Sequence, residues 1–420
     1  MRLPIRKSAL CGAALMTAFL AYPALTQQRT EPPIARYTMD AGTTSGLGAM
    51  GAAGGNPLAM LRGGGSAGHE LQLRLGSSRA ASGTPAADHF MPAGAQLGAS
   101  VPLVTPVRQP STPGGPPGQV QQGQLPSGKL YLFWGCGERA GPGQPVVIDF
   151  AKMARGEMPP DLFASGVTLP SDWHVGPDNS TTFGEWPNAR DSKQVTPASS
   201  LLGDHRIAGN YSPEIAFRLD RDFMPALQPR SAPLASGGWS LSWNGLPEAT
   251  GYYAWAMGAR DMGRGQASEM VWWTSSSTRQ FAGALADWLS PAAVQRLVSA
   301  GTVMPPSQTN CAVPAEVRQL GGDNMMLYLY GYGPESNFAY PPRPADVRVT
   351  WKPEWTARVR FRSSAMVMLG MPEMGSFGGD EDDRAADTRQ SAEPEAQGGV
   401  LPPCPRGLAG RAMRAAGLCR

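Results

Sequence analysis

Short strand-like segments, separated by glycines and prolines, recur along most of this 420-residue chain. In one of them Leu71, Leu73 and Leu75 alternate with polar residues. A side-chain period of two places the apolar residues on one face of a β-strand. Further segments of this kind lie at 130–134, 146–150, 215–219, 239–243, 253–257, 269–274, 326–330, 347–351 and 355–361. The pattern predicts an all-β protein whose antiparallel sheets pack as β-sandwiches.

One segment of the second half predicts a helix instead. Ser290 is a favourable N-cap, Pro291 suits the first helical position, and Gly301 is placed to end the helix. Apolar residues precede this cap, so we expect a helical insertion near 281–300 between two strands.

Residues 239–257 read WSLSWNGLPEATGYYAWAM and resemble the early strands of bacterial fibronectin type III-like modules. Those modules place a Trp on one strand and a turn of the form P-x-A-T-G-Y before the next, as at 247–252 here. The resemblance implies a sandwich in which Trp243 fills the space between two sheets. It covers about 20 of the 420 residues and implies no particular function.

Composition predicts how the chain is divided. The glycine-rich stretch 27–66 is expected to be a flexible segment, because it offers too little surface to offset its backbone entropy. A first sandwich domain is predicted at 67–230, with a proline-rich connector at 102–126. The fibronectin III-like domain is predicted at 236–370, followed by a disordered low-complexity tail at 371–420.

The first 26 residues have the layout of a secretory signal peptide. A basic start is followed by an apolar run at 9–25, and Ala24 and Thr26 supply the small residues that a signal peptidase accepts. The run is short for a membrane span, so no transmembrane segment is expected after cleavage. The sequence thus predicts export, to the periplasm, the outer membrane or the medium.

Charge narrows the classes of partner. The formal net charge is +3, and the signal peptide carries three basic residues and no acidic ones, so the mature chain is near neutral. A neutral chain has no overall field that draws it to nucleic acid, and we expect no nucleic-acid partner.

Four cysteines remain after cleavage, and an even number in an exported chain favours disulfides. They are Cys136, Cys311, Cys404 and Cys419. The local pairing joins the last two and leaves Cys136 with Cys311, but the sequence leaves all three pairings open. There is no CxxC pair and there are only four histidines, so no metal site is predicted.

The polar segment 202–214 offers the residue types of a glycan hydrolase, which needs two nearby carboxylates. Asp204 and Glu214 are the candidate carboxylates and His205 lies beside them. The simpler interpretation is that Asp204 and His205 stabilise a turn before a strand. A GxGxxG pattern at 46–51 lacks an evident strand before it and an evident helix after it, so no cofactor is expected.

Two sets of residues favour a binding role. Trp173 and Trp186 lie in a loop-like stretch without strand periodicity, where exposed rings stack on sugars or contact partners. Four arginines alternate along two predicted strands and are expected to share one solvent face that contacts carboxylate or phosphate groups. They are Arg348, Arg358, Arg360 and Arg362. The sequence therefore predicts a non-catalytic binding or structural protein that contacts an envelope protein or polysaccharide, with an envelope glycan hydrolase as the alternative.

Overall fold

A computed structural model describes residues 28–52, 67–106, 128–155, 157, 174–260, 268–281 and 283–370. The predicted signal peptide, most of the proline-rich connector and the predicted tail lie outside these ranges, as do Trp173, Cys404 and Cys419.

The described residues are mostly β-strands with few helices, which confirms the predicted all-β character. The strands are β1 (Ala35–Gly46), β2 (Ala67–Ser77), β3 (Ala87–Phe90), β4 (Ser100–Pro102), β5 (Gly128–Trp134), β6 (Val146–Asp149), β7 (Thr182–Trp186), β8 (Gly203–Gly209), β9 (Ile215–Leu219), β10 (Arg230–Pro233), β11 (Trp239–Ser242), β12 (Gly251–Arg260), β13 (Ser268–Thr274), β14 (Asn310–Val313), β15 (Met326–Tyr340) and β16 (Trp355–Met368). The helices are α1 (Leu47–Ala52), α2 (Phe150–Ala154), α3 (Pro291–Ser299) and α4 (Ala315–Gly321).

The largest sheet has nine strands in the order β6-β5-β13-β12-β15-β16-β1-β2-β7. Most neighbours are antiparallel, but β1 pairs in parallel with β16, and β5 pairs in parallel with β13. The sheet is therefore mixed, which the prediction of antiparallel sheets did not include. Two smaller sheets accompany it, with the orders β4-β3-β8-β9 and β10-β11-β14.

The two predicted sandwich domains are not confirmed. Strands from both predicted ranges, such as β2 and β16, belong to the same nine-stranded sheet, and the described residues form one compact unit. Within this sheet, β5 of the first range pairs in parallel with β13 of the second. Strand β1, which precedes both ranges, lies between β2 of the first and β16 of the second and is parallel to β16. Parallel strands need long crossover connections, which short-range sequence patterns do not reveal.

Strand β1 lies inside the stretch 27–66, where the composition favoured a flexible segment. Its alternation is nevertheless regular, because Tyr37, Met39 and Ala41 are buried on one face. Gly42 is needed on the other face, since a Cβ there would lie 2.4 Å from the Glu70 carboxylate. The prediction of a flexible segment is thus wrong over 35–46, because Gly42 allows Glu70 to pack closely there and does not make the backbone flexible.

The core lies between the nine-stranded sheet and the two smaller sheets. Leu73 of β2, Ile207 of β8 and Leu241 of β11 are all at most 1% exposed and belong to one apolar cluster. Burying each such side chain stabilises the fold by about 1.5–3 kcal/mol. One face of the large sheet is therefore fixed in the core, and its opposite face is left for other contacts.

The segment that resembles a fibronectin III-like module keeps its local strand–turn–strand form. Strands β11 and β12 belong to different sheets, and Trp243 is buried with its ring 5.5 Å from that of Tyr252 in an edge-on contact. The Tyr252 hydroxyl also accepts a 2.8 Å hydrogen bond from the Leu246 N–H. A fibronectin III-like fold of the whole predicted domain is not confirmed.

Helix α3 follows the predicted capping scheme. The Ser290 hydroxyl accepts a 3.2 Å hydrogen bond from the Ala293 N–H, and Pro291 opens the helix. Gly301 has a φ of +71°, a left-handed conformation that favours glycine after a helix. The expected helical insertion is therefore present, and it lies on the face of the large sheet opposite the core.

Two local predictions are wrong. Residues 347–350 form a turn instead of a strand. Strand β1 does precede Gly46 and helix α1 does follow it, although neither was evident from the sequence. Strand β2, the next described strand after α1, pairs antiparallel with β1, so these elements do not form a dinucleotide-binding βαβ unit, whose strands are parallel.

Candidate functional site

The face of the nine-stranded sheet opposite the core is charged, and we call it the polar face. It carries alternate residues of its central strands, because the register places Thr38 beside Arg358 and Asp40 beside Arg360. Arg74 of β2 lies across from Thr38 on the other side of β1. Charged side chains from three strands are thus brought together on one face.

Asp40 is the centre of this charged region. Its side chain is completely buried and accepts two hydrogen bonds from Arg360, from Nε at 2.6 Å and from Nη2 at 2.8 Å. Arg74 Nη1 donates a third at 2.9 Å. Bidentate contacts of this kind fix the plane of a guanidinium group as well as its position. One buried carboxylate therefore orients two arginines.

Arg360 and Arg362 also hold the segment 283–290 on the polar face. Arg360 Nη1 donates to the Trp288 carbonyl and Arg362 Nη1 to the Ala286 carbonyl, both at 2.6 Å. Arg362 further donates to Glu70 at 2.8 Å and lies 4.1 Å from the centre of the Trp288 ring. The arginines thus link the sheet to the segment that leads into α3.

A groove of about 930 Å³ lies among this segment, the N-terminal end of α3 and the polar face, and we call it the arginine groove. Its polar and charged lining residues are Thr38, Arg74, His174, Asp287, Ser290, Arg296, Glu335, Asn337, Arg358 and Arg360. Four arginines face only two carboxylates in this lining, and the positive end of the α3 dipole adds to them. The groove therefore favours an anionic group.

Two buried oxygen atoms at the groove have no hydrogen-bond partner among the described residues. They are Oγ1 of Thr38, a residue only 2% exposed, and Oε2 of Glu335. Glu335 lies 3.7 Å from Arg358, which is close enough for an ion pair but too long for a hydrogen bond. Buried polar atoms are normally satisfied, so these two oxygens are available to hydroxyl groups of a ligand.

The four predicted arginines are placed unequally. Arg358 and Arg360 line the arginine groove, and Arg362 lies beside it. The expected solvent face is wrong, since the side chains of these three are at most 12% exposed. Arg348 lies apart from them, in the turn that replaces the predicted strand, and pairs with Asp346 at 2.8 Å.

Trp186, one of the two predicted tryptophans, does not provide an exposed ring. Trp186 ends strand β7 and is 2% exposed in the core. It is therefore a core residue and not a loop residue that stacks on a sugar. Trp173 lies outside the described residues.

The candidate hydrolase residues do not converge. Asp204 and Glu214 are exposed and pair with different arginines, Arg218 at 3.0 Å and Arg206 at 3.2 Å. His205 points to the opposite face of β8, where it is buried. The structure does not assemble these three residues into one site.

His205 instead ends a buried chain of hydrogen bonds. Its Nε2 lies 2.7 Å from the Leu201 carbonyl, which can only accept, so this nitrogen carries the proton. His205 Nδ1 must then accept from His89 Nε2 at 3.0 Å, and His89 Nδ1 from the Tyr37 hydroxyl at 2.7 Å. Burial lowers the pKa of both histidines, His89 further because His205 is adjacent. Both rings are neutral. The hydrogen bond between Tyr37 and His89 links the nine-stranded sheet to the four-stranded sheet, which contains both histidines.

The disulfide prediction is confirmed for one pair. Cys136 and Cys311 are bonded, with their sulfur atoms 2.09 Å apart. The bond joins the region after β5 to strand β14, which are 175 residues apart in sequence. Cys404 and Cys419 lie outside the described residues.

Sequence reasoning missed most of the residues that build the groove. Asp40, Arg74, Glu335 and Arg296 come from four different elements, and no motif links them. The available signal was local: Asp40 is the one charged residue in the strand-like stretch 37–46, and a charge that becomes buried needs a partner. The identity of that partner depends on the register between β1 and β16.

Comparison with known protein families, curated proteins and solved structures finds no match to this chain. Within the ranges that the structure describes, no helix is long and apolar enough to cross a membrane, and no cluster of three potential metal ligands is present. The function is therefore argued from the groove itself.

Proposed function

We propose that this is an exported, non-catalytic binding protein that holds an envelope polysaccharide in the arginine groove. The observation that carries the proposal is the convergence of Arg74, Arg358 and Arg360 on one groove of about 930 Å³. Two of these three arginines are fixed by Asp40 before any ligand arrives. A site that is ordered in advance loses little side-chain entropy on binding.

The mixture of groups in the groove favours a polysaccharide over a purely apolar partner. Arginine and Asn337 donate hydrogen bonds, while Glu335 and Asp287 accept them. A saccharide presents hydroxyl groups that both donate and accept, so it matches both kinds of group. The volume is within the usual range of about 300–1,000 Å³ for ligand sites.

One structural feature supports export. The Cys136–Cys311 disulfide is typical of proteins in oxidising compartments. The other support is the signal-peptide layout of the first 26 residues in the sequence.

A binding role without catalysis is supported by the separation of Asp204, His205 and Glu214, which are the residues of the hydrolase alternative. Asp204 and Glu214 are exposed ion-pair partners, whereas His205 is buried and hydrogen-bonded to His89. Their substitution is therefore expected to leave polysaccharide binding unchanged.

Affinity electrophoresis tests the proposal, with a gel that contains an acidic polysaccharide compared with one that contains a neutral glucan. The Arg296 side chain is exposed at the groove and makes no hydrogen bond or ion pair within the described part of the chain. Arg296→Gln is therefore expected to keep the fold, and it is the test variant. Arg348→Gln, outside the groove, is the matched control. We expect the acidic gel to retard the wild type and the control, and Arg296→Gln to be retarded less. Equal retardation of all three proteins in both gels, each measured against its own mobility without polysaccharide, would refute the proposal.

A further inference from the structure

We infer that the arginine groove selects uronic acids, that is, sugars that carry one carboxylate and several hydroxyl groups. The inference rests on the proposed polysaccharide-binding function and specifies the class of sugar. It comes from the arrangement of charge in the groove, where positive and negative groups are interleaved.

The positive groups differ in how far they are already used. Arg360 already uses three of its five N–H donors, two on Asp40 and one on the Trp288 carbonyl. The side chain of Arg296, which is exposed on α3, makes no hydrogen bond or ion pair with the described residues. It lies on the helix whose N-terminal residues Ser290 and Pro291 also line the groove. A single ligand carboxylate is therefore expected beside Arg296.

The negative groups make the site unfavourable for a dense anion. Glu335 lies on the groove 3.7 Å from Arg358, and Asp287 is a second carboxylate in the lining. Like charges placed close together cost free energy, so a sulfated or phosphorylated chain meets repulsion from Glu335 and Asp287. A sugar with one carboxylate places neutral hydroxyls beside these groups instead.

The two oxygens that lack a hydrogen-bond partner within the described part of the chain are expected to accept hydrogen bonds from the hydroxyl groups of the sugar. Oγ1 of Thr38 and Oε2 of Glu335 are buried and have no hydrogen-bond partner among the described residues. Sugar hydroxyls can donate to both of them, and the Asn337 side chain beside them offers a donor and an acceptor. An acidic peptide such as tetraglutamate offers donors only from its backbone N–H groups and N-terminus, whereas a uronic acid offers several hydroxyl donors on every sugar ring. Leaving such groups unpaired is what makes polar sites selective.

Isothermal titration calorimetry of the mature protein tests the inference, with four probes of equal length. The probes are tetragalacturonate, its neutral methyl ester, a sulfated neutral tetrasaccharide and tetraglutamate. We expect tetragalacturonate to bind at least tenfold more tightly than each of the others. Glu335→Gln keeps an acceptor but removes the charge, so it is expected to reduce the preference over the sulfated probe at least fivefold. Thermal denaturation of each variant checks that it folds.

The outcomes separate this inference from the function on which it rests. If the methyl ester, the sulfated probe or tetraglutamate binds as tightly as tetragalacturonate, selection of uronic acids is wrong while binding in the groove stands. If Glu335→Gln folds and leaves the preference over the sulfated probe unchanged, the assigned role of Glu335 is wrong. If no saccharide binds, the proposed function itself is refuted.

Discussion

Substitution of Asp40 by asparagine removes the charge that Arg360 and the half-buried Arg74 share. The Asp40 side chain is fully buried, and Arg360 beside it is only 12% exposed, so water cannot replace the lost carboxylate. Removing one member of a buried ion pair typically costs about 3–5 kcal/mol. Asparagine keeps one oxygen acceptor, so we expect Asp40→Asn to lower the free energy of unfolding by about 3 kcal/mol, near the lower end of that range.

Urea unfolding followed by tryptophan fluorescence measures this change, with the slope against urea checked for constancy. Asp204→Asn is the matched control, because it removes the same charge from an ion pair whose side chains are both more than 70% exposed. We expect the control to match the wild type within error. A loss of less than about 1 kcal/mol for Asp40→Asn would refute the argument that this carboxylate compensates a buried charge.

A double variant distinguishes charge compensation from simple loss of packing. Asp40→Asn combined with Arg360→Gln removes both members of the bidentate pair. We expect the double variant to lose less stability than the sum of the two single losses, because neither charge is left without its partner. Additive losses would show that the two side chains do not interact in the way that their 2.6 and 2.8 Å contacts imply.

Three further predictions concern stability. Burial holds the native pKa of His89 and His205 below the unfolded value of about 6.5, so only the unfolded state takes up their protons as the pH falls below 6.5. The free energy of unfolding should therefore drop by about 1.4 kcal/mol per pH unit for each histidine, until its native pKa is reached. Equal urea midpoints at pH 7.5 and 5.5 would contradict this prediction. Tyr37→Phe removes the donor to His89 and should cost about 1–3 kcal/mol in urea unfolding, whereas Tyr340→Phe, at an exposed ring, should cost nothing measurable. Cys136→Ser with Cys311→Ser opens a link across 175 residues and should lower the unfolding free energy by about 4–5 kcal/mol, and dithiothreitol should destabilise the wild type but not the double variant.

Local sequence signals predicted local structure well. Helix α3 could be predicted because Ser290, Pro291 and Gly301 each act within one or two turns of their own position. Strand β16 could be predicted because a period of two is a property of the strand alone. For the same reason, Arg358, Arg360 and Arg362 were expected on one face, and they share one in the structure.

Long-range pairing explains what the sequence analysis missed. Arg360 is buried because Asp40, 320 residues earlier, lies beside it in a parallel pair of strands. No pattern within either strand encodes that register. His205 shows the same limit. Its residue type suggested a catalytic role, but it lies on the buried face of β8, where it makes structural hydrogen bonds with His89 and the Leu201 carbonyl.

The glycine content of 27–66 misled in a different way. Composition treats each glycine as a source of backbone entropy, whereas Gly42 provides the space that Glu70 occupies on the neighbouring strand. Glu70 in turn binds Arg362, so this glycine contributes to the polar face. A residue count cannot distinguish these two uses.

A crystal structure of the mature protein with tetragalacturonate tests the central claim most directly, namely that the arginine groove is the ligand site. The account predicts sugar density in the groove, with a carboxylate beside Arg296 and hydroxyls beside Thr38 and Glu335. Density for the tetrasaccharide elsewhere on the molecule, with the groove empty at saturating ligand, would contradict it.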